Sequence, residues 1–309
     1  MGERTGIAWA DSTANSQMGC DGCELWDPSR GVRICYAGGL TERMVAAGPR
    51  NGWPAAFNQP RLFPERIEQA CAWKDLTGTK RPGKPWLDGL PRVIFWNDMG
   101  DAFTASLPID WWAPYLPRLA KSPHIHLWLT KRADRQAEFA QRFRLPENVW
   151  CGVSVTSPQD QRLRRLLKTR AAKLYVSYEP ALQPVDPARW PGIHWWILGG
   201  ASAQRGQVTP PTELSVLREA LDGCRTAGAA GFVKQLGSVV VIPDVPIGLR
   251  GLAMIAAAEM IDREWPVGTR FGNPTGKPEL NGRVALLRDP KGADWDEWPA
   301  AVRRREMPR

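Results

Sequence analysis

The sequence lacks the segments that carry proteins into or across membranes. Its first eleven residues contain no basic stretch followed by an apolar run, and eighteen apolar residues never follow one another. It also lacks a Walker-type phosphate loop, a Gly-x-Ser-x-Gly motif and a His-Glu-x-x-His motif. These absences argue against ATP hydrolysis and against the commonest hydrolase and zinc-protease sites. We therefore expect a cytoplasmic protein with no membrane partner.

Histidine is scarce, with three residues in 309, and cysteine occurs six times. Three of the cysteines, Cys20, Cys23 and Cys35, lie close together, with two and then eleven residues between them. A disulfide framework instead spreads its cysteines through a small secreted domain. The pattern therefore favours a metal site in a reducing compartment.

Three thiolates are an informative number of ligands. A closed structural zinc site needs four Cys or His ligands, and the histidines lie in predicted strands far along the chain. Three thiolates on a 4Fe-4S cluster would leave one iron with an open position for a substrate or cofactor. We favour the iron-sulfur interpretation, with a zinc site or three unligated thiols as alternatives. The remaining cysteines are expected to be buried, unless one is a fourth ligand: Cys71, Cys151 and Cys224.

The composition is basic and rich in tryptophan, with a net charge of +9 and 16 Trp against four Tyr. Such a charge suits a polyanionic partner, although a soluble basic surface explains it as well. We expect most Trp residues to pack in the core and a minority to be able to stack bases. One basic stretch could bind phosphates or form a solvated helix face: Arg162, Arg164, Arg165, Lys168 and Arg170.

Short apolar runs alternate with helical or loop segments from about residue 90 onward. The runs cover 92–98, 124–130, 148–155, 173–178, 193–199 and 228–234. Nearly continuous apolar runs are typical of parallel strands buried on both faces. With an earlier strand within 6–18, they predict an α/β fold: a complete or partial parallel (β/α) barrel, with a doubly wound sheet as the alternative. Helices are expected over 133–143, 159–169, 212–228 and 252–261.

Two segments are predicted from this pattern. Residues 1–238 form the barrel with an N-terminal cluster-binding loop, and residues 239–309 form a small C-terminal extension that packs on it. Polar residues follow each predicted strand, and the carboxyl ends of parallel strands form the active-site face of such barrels.

The cysteine segment and several strand ends together resemble the radical S-adenosylmethionine superfamily, and more closely a phage- and prophage-associated family with a three-cysteine motif. The motifs are Gly19-Cys20 to Cys35-Tyr36-Ala37, Leu129-Thr-Lys-Arg132, Gly152-Val-Ser-Val155, Glu179-Pro180, Gly199-Gly200, Lys234-Gln235, Asp289-Pro-Lys-Gly292 and Glu297-Trp-Pro299. The usual superfamily spacing is three and then two residues between cysteines, so the segment from Glu24 to Ile34 is a long insertion, and Cys20 and Cys35 are the safer ligands.

The resemblance implies a radical-SAM-type barrel with two cofactors, a 4Fe-4S cluster and S-adenosylmethionine. Cys20, Cys23 and Cys35 would hold the cluster, and an electron from a donor such as flavodoxin or ferredoxin would yield a 5′-deoxyadenosyl radical. The implied S-adenosylmethionine-binding residues are Asn97, Asp98, Asp101, Ser154, Thr156, Gly199 and Gly200. Three charged residues are catalytic candidates that could equally form an interior ion-pair network: Lys131, Glu179 and Lys234.

For the substrate, the charge, the tryptophans and the phage association favour a nucleic-acid base. We expect an isomerase or lyase reaction on phage DNA in the bacterial host cytoplasm, such as rearrangement of a substituent on a modified pyrimidine, or base repair. The alternatives are a non-enzymatic nucleic-acid-binding protein stapled by a metal, and a radical enzyme acting on a small metabolite or peptide.

Overall fold

The computed structural model describes residues 2–48, 52–158, 160–203, 208–242, 263–272 and 283–308. The strands in chain order are β1 (Ser12–Ala14), β2 (Gln17–Met18), β3 (Trp26–Asp27), β4 (Val32–Arg33), β5 (Arg61–Leu62), β6 (Val93–Trp96), β7 (Ile125–Thr130), β8 (Val149–Val155), β9 (Leu174–Tyr178), β10 (Trp195–Gly199), β11 (Thr212–Glu213), β12 (Ala230–Gln235), β13 (Val240–Ile242), β14 (Arg270–Gly272) and β15 (Arg283–Leu286). The α-helices are α1 (Tyr36–Ala46), α2 (Glu65–Cys71), α3 (Leu116–Lys121), α4 (Ala133–Arg142), α5 (Gln161–Leu166) and α6 (Leu214–Ala227). Single 3-10 turns cover Pro28–Arg30, Pro85–Leu87, Ala113–Tyr115, Pro187–Arg189, Trp295–Glu297 and Ala300–Val302.

A seven-stranded sheet has the order β1-β6-β7-β8-β9-β10-β12. Its pairings are parallel, as in the registers Ser12 to Ile94, Val93 to Ile125 and Trp195 to Ala230. The strand order follows the chain without reversing, whereas a doubly wound sheet reverses at a switch point. The predicted α/β class is confirmed, and the order is compatible with a partial parallel (β/α) barrel.

The strands of this sheet are buried because both of their faces are apolar. All four residues of β6 are buried, and so are all residues of β9 and β10. Three tryptophans pack on one another behind β6 and β7: ring centroids lie 5.4 Å apart for Trp96 and Trp112 and 4.7 Å apart for Trp112 and Trp128. These tryptophans therefore belong to the core, as predicted for most of them.

Three of the four predicted helices form within the described residues, and these have shorter bounds. Helix α4 ends one residue before the predicted end, and α5 covers only Gln161–Leu166 of the predicted 159–169. Helix α6 starts at Leu214 because Thr212 and Glu213 form β11, and it ends at Gly228, whose φ of 64° stops the helix. The helix predicted over 252–261 lies outside the described residues. No helix in the described ranges is long and apolar enough to cross a membrane.

The chain divides into two compact units. The first unit comprises Met1–Ser154 with Gln161–Val176, and the second comprises Val155–Asp160 with Ser177–Arg309. The second unit also contains a mixed sheet with the order β11-β13-β15-β14, in which β11 and β13 are parallel and β15 is antiparallel to both of its neighbours.

The C-terminal segment of the second unit is fastened to the end and edge of β12. The Val233 N–H donates to the Arg304 carbonyl at 2.8 Å, and the Leu236 N–H donates to the Gly292 carbonyl at 2.8 Å. The Glu297 carboxylate accepts from the N–H groups of Arg288 and Asp289 at 2.6 and 2.9 Å. The two C-terminal motifs of the sequence analysis, 289–292 and 297–299, thus hold each other.

Candidate functional site

The cysteine segment of the first unit begins directly after β2. The Gly19 N–H donates to the carbonyl of Met99, in the loop after β6, at 3.0 Å. The Cys20 N–H donates to the Phe57 carbonyl at 2.7 Å. Cys20 therefore has a fixed backbone position next to the loop that follows β6.

The eleven residues between Cys23 and Cys35 form a short hairpin. Cys23 and Trp26 exchange two backbone hydrogen bonds, at 3.0 and 2.9 Å, and β3 pairs with β4 in antiparallel fashion. The returning chain brings the Cys35 N–H to the Leu25 carbonyl at 2.8 Å. The long insertion therefore folds back on itself and returns the backbone of Cys35 to Leu25, two residues after Cys23.

Backbone N–H groups two positions further along the chain lie near each of the three sulfur atoms. The Leu25 N–H donates to the Cys23 sulfur at 3.4 Å. The N–H group of Gly22 acts to lower the pKa of Cys20, and those of Ala37 and Gly38 act to lower the pKa of Cys35. The latter two are among the first N–H groups of α1, which have no partner within the helix. Such N–H groups stabilise negative charge on sulfur and are typical surroundings of thiolate ligands.

Burial works against these thiols ionising on their own. Burial, followed by the charge of Asp101, raises the pKa of Cys20 to about 11. Burial also raises the pKa of Cys35 above its ordinary value, and the nearby Cys23 contributes to the shift. All three are free thiols. Without a bound cation, Cys20 and Cys35 remain protonated at neutral pH when buried in this way.

Trp26 packs inside the hairpin, and two glycines make room for it. A Cβ on Gly38 would lie 2.4 Å from the Cε3 atom of the Trp26 ring, and one on Gly22 would lie 2.5 Å from the Trp26 carbonyl oxygen. Gly22 also has a φ of 97°, a conformation that residues with a side chain rarely adopt. Gly22 and Gly38 are thus required by close packing around one tryptophan.

Polar residues that follow β6 and β7 form hydrogen bonds with one another and with the cysteine segment. Asp101 is buried, and its Oδ1 accepts from the Thr130 hydroxyl at 2.6 Å and from the Phe103 N–H at 2.9 Å. Its Oδ2 accepts from the Lys131 N–H at 2.9 Å. The Thr104 hydroxyl donates to the Asp21 carboxylate at 2.6 Å. The loop after β6 thereby connects the end of β7 to the cysteine segment.

The predicted cofactor residues Asn97 and Asp98 directly follow β6 and contact the chain just before the cysteine segment. Asn97 has a φ of 61°, and its Oδ1 accepts from the Gln17 N–H at 2.9 Å. Its buried Nδ2 has no hydrogen-bond partner among the described residues. Asp98 accepts from the Asn15 amide at 2.6 Å, and burial raises its pKa above the ordinary value. Asn97 therefore braces β2 with its oxygen and leaves a donor unused.

Three cations contact the cysteine segment. Lys131 Nζ and Arg162 Nη2 lie 2.6 and 3.0 Å from the same Glu24 oxygen, Oε1. Arg132 donates to the Gly22 carbonyl and lies 4.0 Å from the Cys20 sulfur. The Thr-Lys-Arg motif after β7 therefore binds the cysteine segment. Sequence reasoning missed the role of Glu24, whose only signal was a carboxylate next to a cysteine.

The other charged candidates meet in the second unit. Lys234 Nζ lies 2.9 Å from Glu179 Oε1, and the Ser177 hydroxyl donates to Glu179 Oε2 at 2.7 Å. A Cβ on Gly199 would lie 2.6 Å from Glu179 Oε1, so the glycine makes room for the carboxylate. Glu179 and Lys234 thus form an ion pair, the arrangement that the sequence analysis named as the alternative to catalytic roles for them. Lys131 pairs with Glu24 within the first unit instead.

The remaining predicted cofactor residues flank the ends of β8 and β10. Ser154 lies within β8 and Thr156 follows it, and both side chains are half-buried. Gly200 exchanges hydrogen bonds with Gln235: its N–H donates to the Gln235 carbonyl at 3.0 Å, and its carbonyl accepts from the Gln235 amide at 2.9 Å. A Cβ on Gly200 would lie 2.0 Å from the Leu236 carbonyl oxygen, so this glycine serves backbone packing.

The cysteine segment provides thiols whose sulfur atoms are not preassembled around a metal. Across the described ranges, no three Cys, His, Asp or Glu side chains are arranged to hold a metal ion. The three sulfurs are thus not gathered around one point. Their chemistry nevertheless fits an iron-sulfur cluster, since all three are free thiols with backbone N–H groups nearby, and Cys20 and Cys35 contact one apolar cluster around Trp26.

A family model described as "Protein of unknown function (DUF5131)" matches residues 4–296. The match covers most of the sequence, and the chain belongs to this family. No curated protein and no solved structure matches the chain.

Proposed function

We propose that this member of the DUF5131 family is a radical S-adenosylmethionine enzyme. The observation that supports the proposal best is the common environment of Cys20, Cys23 and Cys35, which are free thiols with a backbone N–H group two positions further along the chain near each sulfur. Further support comes from the sheet order, which is compatible with a partial parallel (β/α) barrel, and from the position of the cysteine segment, which follows the first strand of that sheet with only β2 between them.

The three thiolates would hold a 4Fe-4S cluster that, with S-adenosylmethionine and one electron from flavodoxin or ferredoxin, supplies a 5′-deoxyadenosyl radical. The chain's own residues prepare this site. Asp101 fixes the loop after β6 against Lys131, and Arg132 holds the turn between the first two cysteines. Trp26 and its apolar neighbours bury Cys20 and partly cover Cys35, which shields these two thiols from water.

The unused donor of Asn97 and the half-buried carboxylate of Asp98 are the groups of the first unit best suited to bind the polar end of S-adenosylmethionine. A buried N–H without a partner costs about 1–3 kcal/mol, so a bound acceptor at that point would be favourable. In the second unit, Glu179 and Lys234 are proposed to contact the substrate.

The proposed substrate is a nucleic-acid base, with phage DNA as the partner and a rearrangement or lyase step as the reaction. The net charge of +9 and the resemblance to a phage-associated family support this choice. The basic stretch on α5 supports it less, because Arg162 pairs with Glu24 and Arg165 pairs with Asp134.

The test is anaerobic reconstitution of the full chain with iron and sulfide, followed by counting of both. We expect about four iron and four sulfide ions per chain, and loss of both in Cys20→Ala, Cys23→Ala and Cys35→Ala. The matched controls are alanine variants of the buried cysteines outside the segment, Cys71, Cys151 and Cys224, which should retain the cluster. Retention of iron by all three segment variants would contradict the proposal. Zinc at the same cysteines would favour a metal-stapled nucleic-acid-binding protein instead.

A further inference from the structure

The three cations at the cysteine segment have an unusual charge arrangement. Lys131 and Arg162 share a single oxygen of Glu24. For Arg132, no carboxylate of the described residues lies within ion-pair distance, and its guanidinium donates to the Gly22 carbonyl. Asp101 is already bound by a hydroxyl and two backbone N–H groups. Lys131 and Arg162 therefore meet at one carboxylate oxygen, with Arg132 nearby.

Lys131 and Arg162 are more deeply buried than Glu24, the carboxylate that they share. The side chains of Lys131 and Arg162 are 14% and 17% exposed, whereas that of Glu24 is 44% exposed. Two adjacent cations that are largely shielded from water need a counter-charge. Glu24 supplies it from the solvent side, which is the side from which a dissolved anion would arrive.

We propose that Lys131 and Arg162 form a phosphate-binding site in which Glu24 acts as a removable placeholder. The chemical class of the ligand is a phosphate of a nucleotide unit, and Arg132 adds a third positive charge close by. Arg and Lys together are a common combination for phosphate, because one provides a planar pair of donors and the other a compact charge. This inference rests on the proposed function in naming a nucleotide as the substrate.

Phosphate at this position would place the attached base close to the cysteine segment. Lys131 follows β7 directly, and Glu24 is the residue after Cys23. Displacement of Glu24 would release the hairpin segment from α5 while the phosphate bridges the two cations in its place. Lys131 and Arg162 would thus bind either Glu24 or the phosphate of the substrate.

The experiment is calorimetric titration of the metal-free full chain at low salt with thymidine 5′-monophosphate and with an oligothymidylate. We expect Glu24→Gln to bind about tenfold more tightly than the natural chain, because the competing charge is removed. Lys131→Met and Arg162→Met should each bind at least about tenfold more weakly. The matched control is Arg165→Met on the same helix, whose partner is Asp134, and its affinity should not change.

Two results would overturn the proposal: binding of neither ligand to any variant, or weaker binding by Glu24→Gln, as expected if Glu24 only holds the hairpin. Thermal unfolding of each variant establishes that it is folded, and Glu24→Asp, which keeps the charge, should behave like the natural chain. Binding of the mononucleotide identifies a free nucleotide as a source of the phosphate, and binding of the oligomer alone identifies DNA. Because the titration needs no cluster, failure of iron assembly would refute the proposed function and leave this site standing.

Discussion

Gly38 and Gly39 are adjacent in α1 and offer a sensitive test of the packing around the cysteine segment. A Cβ on Gly38 would lie 2.4–2.6 Å from three ring carbons of Trp26, whereas a Cβ on Gly39 would meet nothing within 4 Å. Neither glycine has a positive φ, so alanine fits the backbone at both positions. Gly38→Ala should therefore force Trp26 and α1 apart, and Gly39→Ala should not.

The magnitudes follow from two opposing effects. Alanine in place of glycine within a helix stabilises it by about 0.5–1 kcal/mol, and this gain is common to both variants. Overpacking of a core by one methyl group costs about 1–3 kcal/mol. We therefore expect the free energies of unfolding of the two variants to differ by about 1–3 kcal/mol, with Gly39→Ala more stable than the natural chain.

Urea unfolding followed by circular dichroism measures this difference. Gly38→Ala should also expose Cys35 to thiol reagents, because displacement of α1 moves the first turn of the helix, which begins next to Cys35. Gly38→Ala combined with Trp26→Leu should be more stable than the sum of the two single effects predicts, since the clashing ring is absent. Equal stability of the two single variants would refute the packing of Trp26 against α1 and, with it, the closed form of the hairpin.

Three further predictions concern single groups. Burial lowers the pKa of His126 to about 3 from 6.5, so below pH 6.5 the unfolded chain takes up a proton that the folded chain does not. Lowering the pH from 7 to 5 should therefore reduce the free energy of unfolding by about 2 kcal/mol through this group. In urea titrations, the free energy of unfolding of His126→Asn should fall by about 2 kcal/mol less than that of the natural chain over the same pH range. Burial raises the pKa of Asp98, so its ionised form opposes folding at neutral pH; Asp98→Asn should raise the melting temperature at pH 7, with a gain that vanishes as the pH falls toward 3.8, and an unchanged melting temperature at pH 7 would contradict the burial of the carboxylate. Glu297→Gln should destabilise the chain by about 1–3 kcal/mol, because one of the N–H groups of Arg288 and Asp289 loses its acceptor; equal urea midpoints would refute the role of that contact.

The central strands could be predicted from sequence because burial on both faces leaves a direct pattern. The run from Val93 to Trp96 contains four apolar residues, and all four are buried. The polar residues after such runs then lie at the same edge of a parallel sheet, and Asp101 and Lys131 both follow strands of this sheet. The Asp101 carboxylate accepts from the Lys131 N–H at 2.9 Å, and this contact joins the ends of two neighbouring strands.

The course of the cysteine segment could not be read from spacing. Eleven residues between Cys23 and Cys35 suggested a long loop, and only the pairing of Trp26 with Arg33 shows that the chain returns at once. Strands of two residues carry too little pattern to be recognised. Ion pairs were equally hidden, because Glu24 and Arg162 are 138 positions apart in sequence.

The most direct test of the proposed chemistry is to incubate the reconstituted chain with dithionite and S-adenosylmethionine under anaerobic conditions and to quantify 5′-deoxyadenosine by chromatography. We predict 5′-deoxyadenosine from the natural chain and from Cys71→Ala, and none from Cys35→Ala. Absence of 5′-deoxyadenosine from a natural chain that has its full complement of iron and sulfide would contradict the assignment as a radical enzyme.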